Sequence, residues 1–166
     1  DKYAPNYKKV LTSDKNFEKD AKNDNNQINF FATIRPKRTP NQGPIFRKDW
    51  LDELGLKVPE TIDEWYVVLK AFKEKKNASA PLLGDKNMFI NMALIGAFNA
   101  SNVFYQDNGK VKYGPIEKEF RDYITTMRKW FAEGLVDPEY ASNTTQKIVD
   151  AKFTNDQAGA YFGQVG

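Results

Sequence analysis

Carboxylates carry whatever acid–base chemistry this 166-residue chain could perform near neutral pH, because it contains no histidine and no cysteine. That absence removes thiol nucleophiles, histidine-based triads, Cys/His zinc sites and disulfides. An acid/base pair would have to come from Asp49, Asp52, Glu53, Asp63, Glu64 or Glu133. These fall at expected helix starts and on exposed faces, where carboxylates serve capping and solubility. Gly43-Pro44 and Gly163-Gln164-Val165-Gly166 do not match a phosphate loop, which needs a G-x-x-x-x-G-K spacing opening a helix. Asp107-Asn108-Gly109 resembles half a calcium loop, lacks the later ligands and reads as a hairpin turn. No cofactor and no metal are implied.

Binding chemistry is better supplied. Sugar recognition uses flat aromatic faces against the ring's C–H surface and planar polar groups for its hydroxyls. Aromatic residues make up 14% of the chain, but Trp65, Phe72, Phe120, Trp130 and Phe131 lie on periodic faces and are assigned to the core. Site candidates sit where strands end, because ligands of open α/β sheets bind beyond the carboxyl ends of strands. That selects Arg35, then Asp85, Asn87, Met88 and Phe89, then Gly163 and Gln164.

The elements that must position them read as follows. Pro5 at an early helical position predicts a helix over 5–12, with a further turn near 15–22. Gln27–Ile34 is a predicted strand and Arg35–Gly43 a proline-broken loop. Pro44–Phe46 reads as a short strand and Lys48–Leu54 as a short helix stopped by Gly55. Thr61-Ile62-Asp63-Glu64 is a capping box opening a long helix, with Trp65, Val68, Leu69 and Phe72 on one face. Pro81–Gly84 is strand-like, and Met88–Ala97 reads as a largely buried helix. Asn108-Gly109 between two aromatic-rich runs predicts a hairpin. Glu117–Glu133 is the second long helix, its stripe set by Phe120, Ile124, Met127 and Phe131 and widened by Tyr123 and Trp130. Asp137-Pro138 starts a turn with aspartate as N-cap, Gln146–Phe153 is a helix, and Ala158–Phe162 is a strand of small residues. This alternation favours a layered α/β fold.

Composition narrows the partners. With 25 basic and 22 acidic residues the net charge is +3, too slight to argue for nucleic acid. Arg35-Pro36-Lys37-Arg38 is then a solvated loop. No apolar run approaches the roughly 18 residues of a membrane span. The chain opens without Met or a signal peptide, as expected of a mature or internal segment.

The run Phe46-Arg47-Lys48-Asp49-Trp50-Leu51, followed by Leu54-Gly55-Leu56-Lys57-Val58-Pro59-Glu60-Thr61-Ile62-Asp63-Glu64, resembles a signature of extracellular solute-binding proteins of the maltose-binding-protein-like class, which feed ABC importers. Gly109–Tyr113, Trp130–Glu139 and Asn155–Gly163 are similar to further blocks of that family, in the same order. The resemblance implies an α/β, type II periplasmic-binding-protein-like fold: mostly one lobe of a two-lobe clamshell, with a mixed sheet flanked by helices. It implies that residues 1–43 are the tail of a first lobe, and 44–166 a crossover strand and most of the second. It implies capture of a small solute, expected to be a carbohydrate or oligosaccharide, for ABC permease membrane subunits, with no reaction. It implies an extracellular protein, anchored by an N-terminal lipid in its full length, or a periplasmic one. The loops carrying Arg35, Asp85 to Phe89 and Gln164 would border the inter-lobe cleft. Asn87 and Phe89 stand where maltose-type members carry an acidic-then-aromatic pair, so an amide replaces the acid. The sequons at Asn77, Asn99 and Asn143 would be chance in a bacterial protein. The alternative classes are a glycan-active enzyme fragment, marked by a carboxylate pair facing one cleft, and a ligand-sensing module.

Overall fold

The longest helices start and stop where local chemistry tells them to. The computed structural model describes residues 3–33, 42–87, 94–143 and 145–164, and the chain forms two units, Asp1–Pro40 and Asn41–Gly166. In the first unit, α1 (Pro5–Leu11) carries proline in its first turn, and α2 (Lys15–Asp20) is capped by Asp14, whose side chain accepts the Asn16 N–H at 2.7 Å. The strand predicted over 27–34 shows no strand pairing in its described residues, 27–33. A lone strand has no ladder to complete, and none is described elsewhere in this unit. Instead the Ala32 N–H donates to the Tyr7 hydroxyl at 2.7 Å, and the Phe31 ring meets Tyr7 edge-on at 4.9 Å.

The second unit runs β1 (Gln42–Phe46), α3 (Lys48–Glu53), α4 (Ile62–Lys76), β2 (Leu82–Leu83), β3 (Phe104–Asp107), β4 (Lys110–Tyr113), α5 (Lys118–Ala132), α6 (Gln146–Thr154) and β5 (Ala160–Gln164). The capping box forms in full: Thr61 Oγ1 accepts the Glu64 N–H at 3.2 Å, and Glu64 returns Oε2 to the Thr61 and Glu60 N–H groups at 3.1 and 2.8 Å. Asn77 ends α4 in the left-handed conformation (φ 54°), and Asn99 does the same after the 3₁₀ turn Ile95–Phe98 (φ 53°). Two of the three sequons are therefore explained as helix stops. Leu94 is also left-handed (φ 60°), which breaks a helical ladder. The helix predicted over 88–97 consequently does not run through its end; residues 88–93 lie outside the described residues.

The last strand is the middle of the sheet. The order is β1-β5-β2, with β1 antiparallel and β2 parallel to β5. Pro44 is tolerated because β1 is an edge. A single parallel bridge, Leu82 to Val136, extends the far side. The hairpin β3–β4 is separate, its turn built by Asn108 (φ 49°) and Gly109 (φ 82°), the positive-φ pair of a type I′ turn.

Successive strand residues point to opposite faces, so helices cover both. Leu82 and Ala160 join a core with Trp50, Leu51, Trp65, Val68, Leu69, Phe72 and Trp130, against which Phe46 and Phe162 pack. Leu83 turns to the other face and meets Val149 and Ala158, with Tyr161 and Phe153 alongside. The Trp65 ring stacks on Phe162 at 5.8 Å and tilts against Phe46 at 4.7 Å. All four predicted face residues of α4 are buried, each contributing roughly 1.5–3 kcal/mol. On α5 the buried face is turned from the predicted stripe. Tyr123 and Trp130 are buried, while Ile124 and Phe131 stay 47% and 45% exposed. Trp130 joins the core through its cluster with Leu135 and Val136, while Tyr123 packs against Phe98 and Phe120.

At Gly159 a helix side chain comes close against bare backbone. A Cβ there would overlap the Phe72 ring, which lies against the backbone just before β5. Gly159→Ala should cost roughly 1–3 kcal/mol by overpacking, read as a lower Tm. Phe72→Leu in the same chain should recover part of the loss. An unchanged Tm for the single variant would contradict this packing.

Candidate functional site

One end of the sheet is sealed, and β2 and β5 exit at the other. At the sealed end β1 runs into α3 and β5 begins. The Arg47 N–H donates to Gly159 O at 2.9 Å. The Arg47 guanidinium donates to Asp49 at 2.9 and 2.6 Å, pairs with Asp156 and lies 4.7 Å from the Trp50 ring centre. Hydrogen bonds to Asp49 and Asp156 push the Arg47 pKa up, and the bond from Arg47 holds the Asp49 carboxyl below its usual range. Ion pairs therefore lock that end.

The other end gathers the carboxyl ends of β2 and β5, because these strands are parallel, together with the start of β1. Gln42 pairs with Gln164 and Gly43 with Gly163. A Cβ at Gly163 would lie 2.6 Å from the Tyr161 ring and 3.0 Å from Ile45, so this pair keeps the two backbones bare. Beyond β2 come Gly84, buried, Asp85, half-buried, and Asn87, exposed and in a helical turn. The backbone pairing thus brings the Asp85–Asn87 loop and Gln164 to one edge. Arg35, Met88 and Phe89 lie outside the described residues.

A buried polar node holds this edge from behind. Asp137 is 1% exposed and Asn143 5%. Asn143 Nδ2 donates to Gly84 O at 2.9 Å and to Asp137 Oδ2 at 2.7 Å. Lys152 Nζ reaches both Asp137 oxygens, at 3.1 and 2.9 Å, and Glu139 Oε2 at 2.7 Å. The Glu139 N–H closes onto Asp137 Oδ1 at 2.9 Å, the N-cap bond that Asp137-Pro138 predicts. Burial opposes the Lys152 charge, and the bonds to Glu139 and Asp137 outweigh it, so its pKa is raised. The sequence reading places Asp137 only as a cap. Asn143 and Lys152 carry no local pattern that marks them, since their partners lie 59 and 15 residues away.

Beside the same loop lies an apolar cleft of about 620 Å³. It is lined by Phe120, Ile124, Met127 and Phe131 of α5, by Tyr123 and Tyr140, and by Lys86 from the β2 exit. Ile124 and Phe131, displaced from the core, face this cleft. Burial pushes the Tyr123 hydroxyl up to about 12. Among the described residues no cluster of three or more acidic side chains could hold a metal ion, and no helix is long and apolar enough to cross a membrane.

The family model for bacterial extracellular solute-binding proteins matches residues 1–166. The chain belongs to that family. The match takes in the stretch from Phe46 to Glu64 that carries the resemblance. Lipoprotein LipO of Bacillus subtilis (strain 168) is 32% identical over 165 residues, which is 93% of this chain and 31% of LipO. The polygalacturonan/rhamnogalacturonan-binding protein YtcQ of the same strain is 32% identical over 146 residues, 81% of this chain and 28% of YtcQ. The crystal structure of the alginate-binding protein AlgQ2 without calcium ion superposes with a TM-score of 0.78 at 32% identity, covering 98% of this chain and 35% of AlgQ2. The fold is thus the α/β, periplasmic-binding-protein-like one, a mixed sheet flanked by helices. The chain spans about a third of the length of these solute-binding proteins.

Lys152→Met would leave Asp137 charged and buried without its counter-ion. Breaking such a pair should cost roughly 3–5 kcal/mol, and adding Asp137→Asn should return most of it. Because the folded Lys152 pKa is raised, its contribution is full below the ordinary lysine value, about 10.4, and fades as pH climbs through the folded one. Urea melts from pH 8 to 11 should show that alkaline loss in the parent chain and less of it in Lys152→Met. Equal stability of parent and variant at pH 8 would overturn the assignment.

Proposed function

We propose that this chain is a segment of an extracellular solute-binding protein that captures a carbohydrate or oligosaccharide for an ABC importer. On this reading residues 44–166 form a crossover strand and most of one lobe, and residues 1–43 the tail of the other. The observation that carries the reading is the sheet end away from Arg47. It collects the exits of β2 and β5 while ion pairs seal the opposite end. That is where a ligand of an α/β sheet is held. Asp85, Asn87 and Gln164 are proposed ligand contacts, as are Arg35, Met88 and Phe89. Lys86 adds a cation in the same loop. The relatives' names support a sugar: one is named for polygalacturonan and rhamnogalacturonan, another for alginate.

The chemistry is binding without turnover. Backbone N–H groups of Glu60 and Thr61 hold Glu64 below the usual range, as Arg47 does Asp49. A general acid needs the opposite shift. Transport requires instead that ligand favour a closed form over an open one, which the permease subunits then recognise. Export with an N-terminal lipid anchor fits the lipoprotein name of one relative.

A thermal-shift screen of the full-length protein tests this. Uronate and neutral oligosaccharides are compared with peptides and amino acids. A cognate sugar at about 100 times Kd should add roughly 2.7 kcal/mol. A shift with a peptide or an amino acid and with no sugar would remove the carbohydrate reading.

A further inference from the structure

We propose that Asn143 is a positioning residue for the ligand loop that leaves β2, and that Asp137 and Lys152 fix the orientation in which it acts. The proposal rests on the function proposed above for that loop. Gly84 is the first residue past β2, and its carbonyl accepts from Asn143 Nδ2 at 2.9 Å. The other amide hydrogen goes to Asp137 Oδ2 at 2.7 Å. An ionised carboxylate only accepts, and so does a backbone carbonyl. A flipped Asn143 would aim its own oxygen at both, so only one orientation satisfies the group.

Asp137 cannot swing away to relax this choice. Lys152 grips both its oxygens, and the Glu139 N–H holds Oδ1. Its backbone N–H donates to Leu82 O at 2.9 Å. The same residue therefore pins β2 at Leu82 through its backbone and at Gly84 through Asn143. Asp85 to Asn87 start from a carbonyl whose place is set by a buried side chain 59 residues away. A loop held this way is ordered before ligand arrives, which lowers the cost of binding.

The test compares Asn143→Ser with Val68→Ala in the full-length protein. Val68 is buried in the α4 core and serves as a control for general destabilisation. Hydrogen exchange without ligand should speed up about tenfold over 84–87 in Asn143→Ser. It should not do so in Val68→Ala. Asn143→Gln, which keeps the amide but displaces it, replaces the serine variant if that one does not fold. Exchange at 84–87 that matches the control would overturn the positioning role. In a second arm the Kd for trigalacturonate, with kestose as the neutral probe, should rise about tenfold in Asn143→Ser alone. A loosened loop with an unchanged Kd would overturn the link to binding. If the parent protein binds neither sugar, the sugar reading fails, while the exchange result still decides the role of Asn143.

Discussion

Phe72 packs so close to Gly159 that a Cβ there would overlap its ring, and the second unit depends on that contact. The segment Ala158-Gly159-Ala160 offers almost no side chain, and each of the two alanines is fully buried. That bareness lets α4 close directly onto the strand that begins one residue later. β5 is the last strand of the chain and the middle of the sheet, so β1 and β2 are joined to each other only through it. The sheet end where both parallel strands exit follows from that strand order.

Rigidity is unevenly distributed around this strand. Behind the β2 exit, Asp137, Asn143 and Lys152 form a node in which no buried side-chain nitrogen or oxygen lacks a partner, the condition under which buried charge is tolerated. At the opposite end the Arg47 pairs are more exposed and contribute less each. Their value is geometric, since they join the start of α3 to the turn before β5. The loop between Gly84 and Asn87 thus has a firm base and an exposed tip, the arrangement expected of a binding loop on a rigid scaffold.

Much of this was legible in the residues, for reasons that are local. The Thr61–Glu64 box, the α4 face, the Asn108-Gly109 turn and the small-residue strand each follow from interactions within a few positions of sequence. What was not legible depends on partners far away. The α5 stripe Phe120–Ile124–Met127–Phe131 has the right period, yet the neighbouring Tyr123 and Trp130 take the core. Periodicity reports an apolar helix but not which of two apolar faces the sheet selects. The 27–34 stretch has strand composition, and composition cannot supply a neighbour to pair with. Lys152 looks like any helix-surface lysine until Asp137 is folded beneath it. Strand order was enough to expect the loop after β2 and the end of β5 at one end of the sheet, whereas the node behind them required the fold.

The central claim is that the edge shared by the β2 and β5 exits faces the ligand. Hydrogen exchange on the full-length protein, with and without saturating oligosaccharide, measures this most directly. The account predicts new protection concentrated at residues 84–87 and 163–164, with the β3–β4 hairpin unchanged. Protection confined to the hairpin, or none anywhere within 42–164 when ligand is bound, would contradict it.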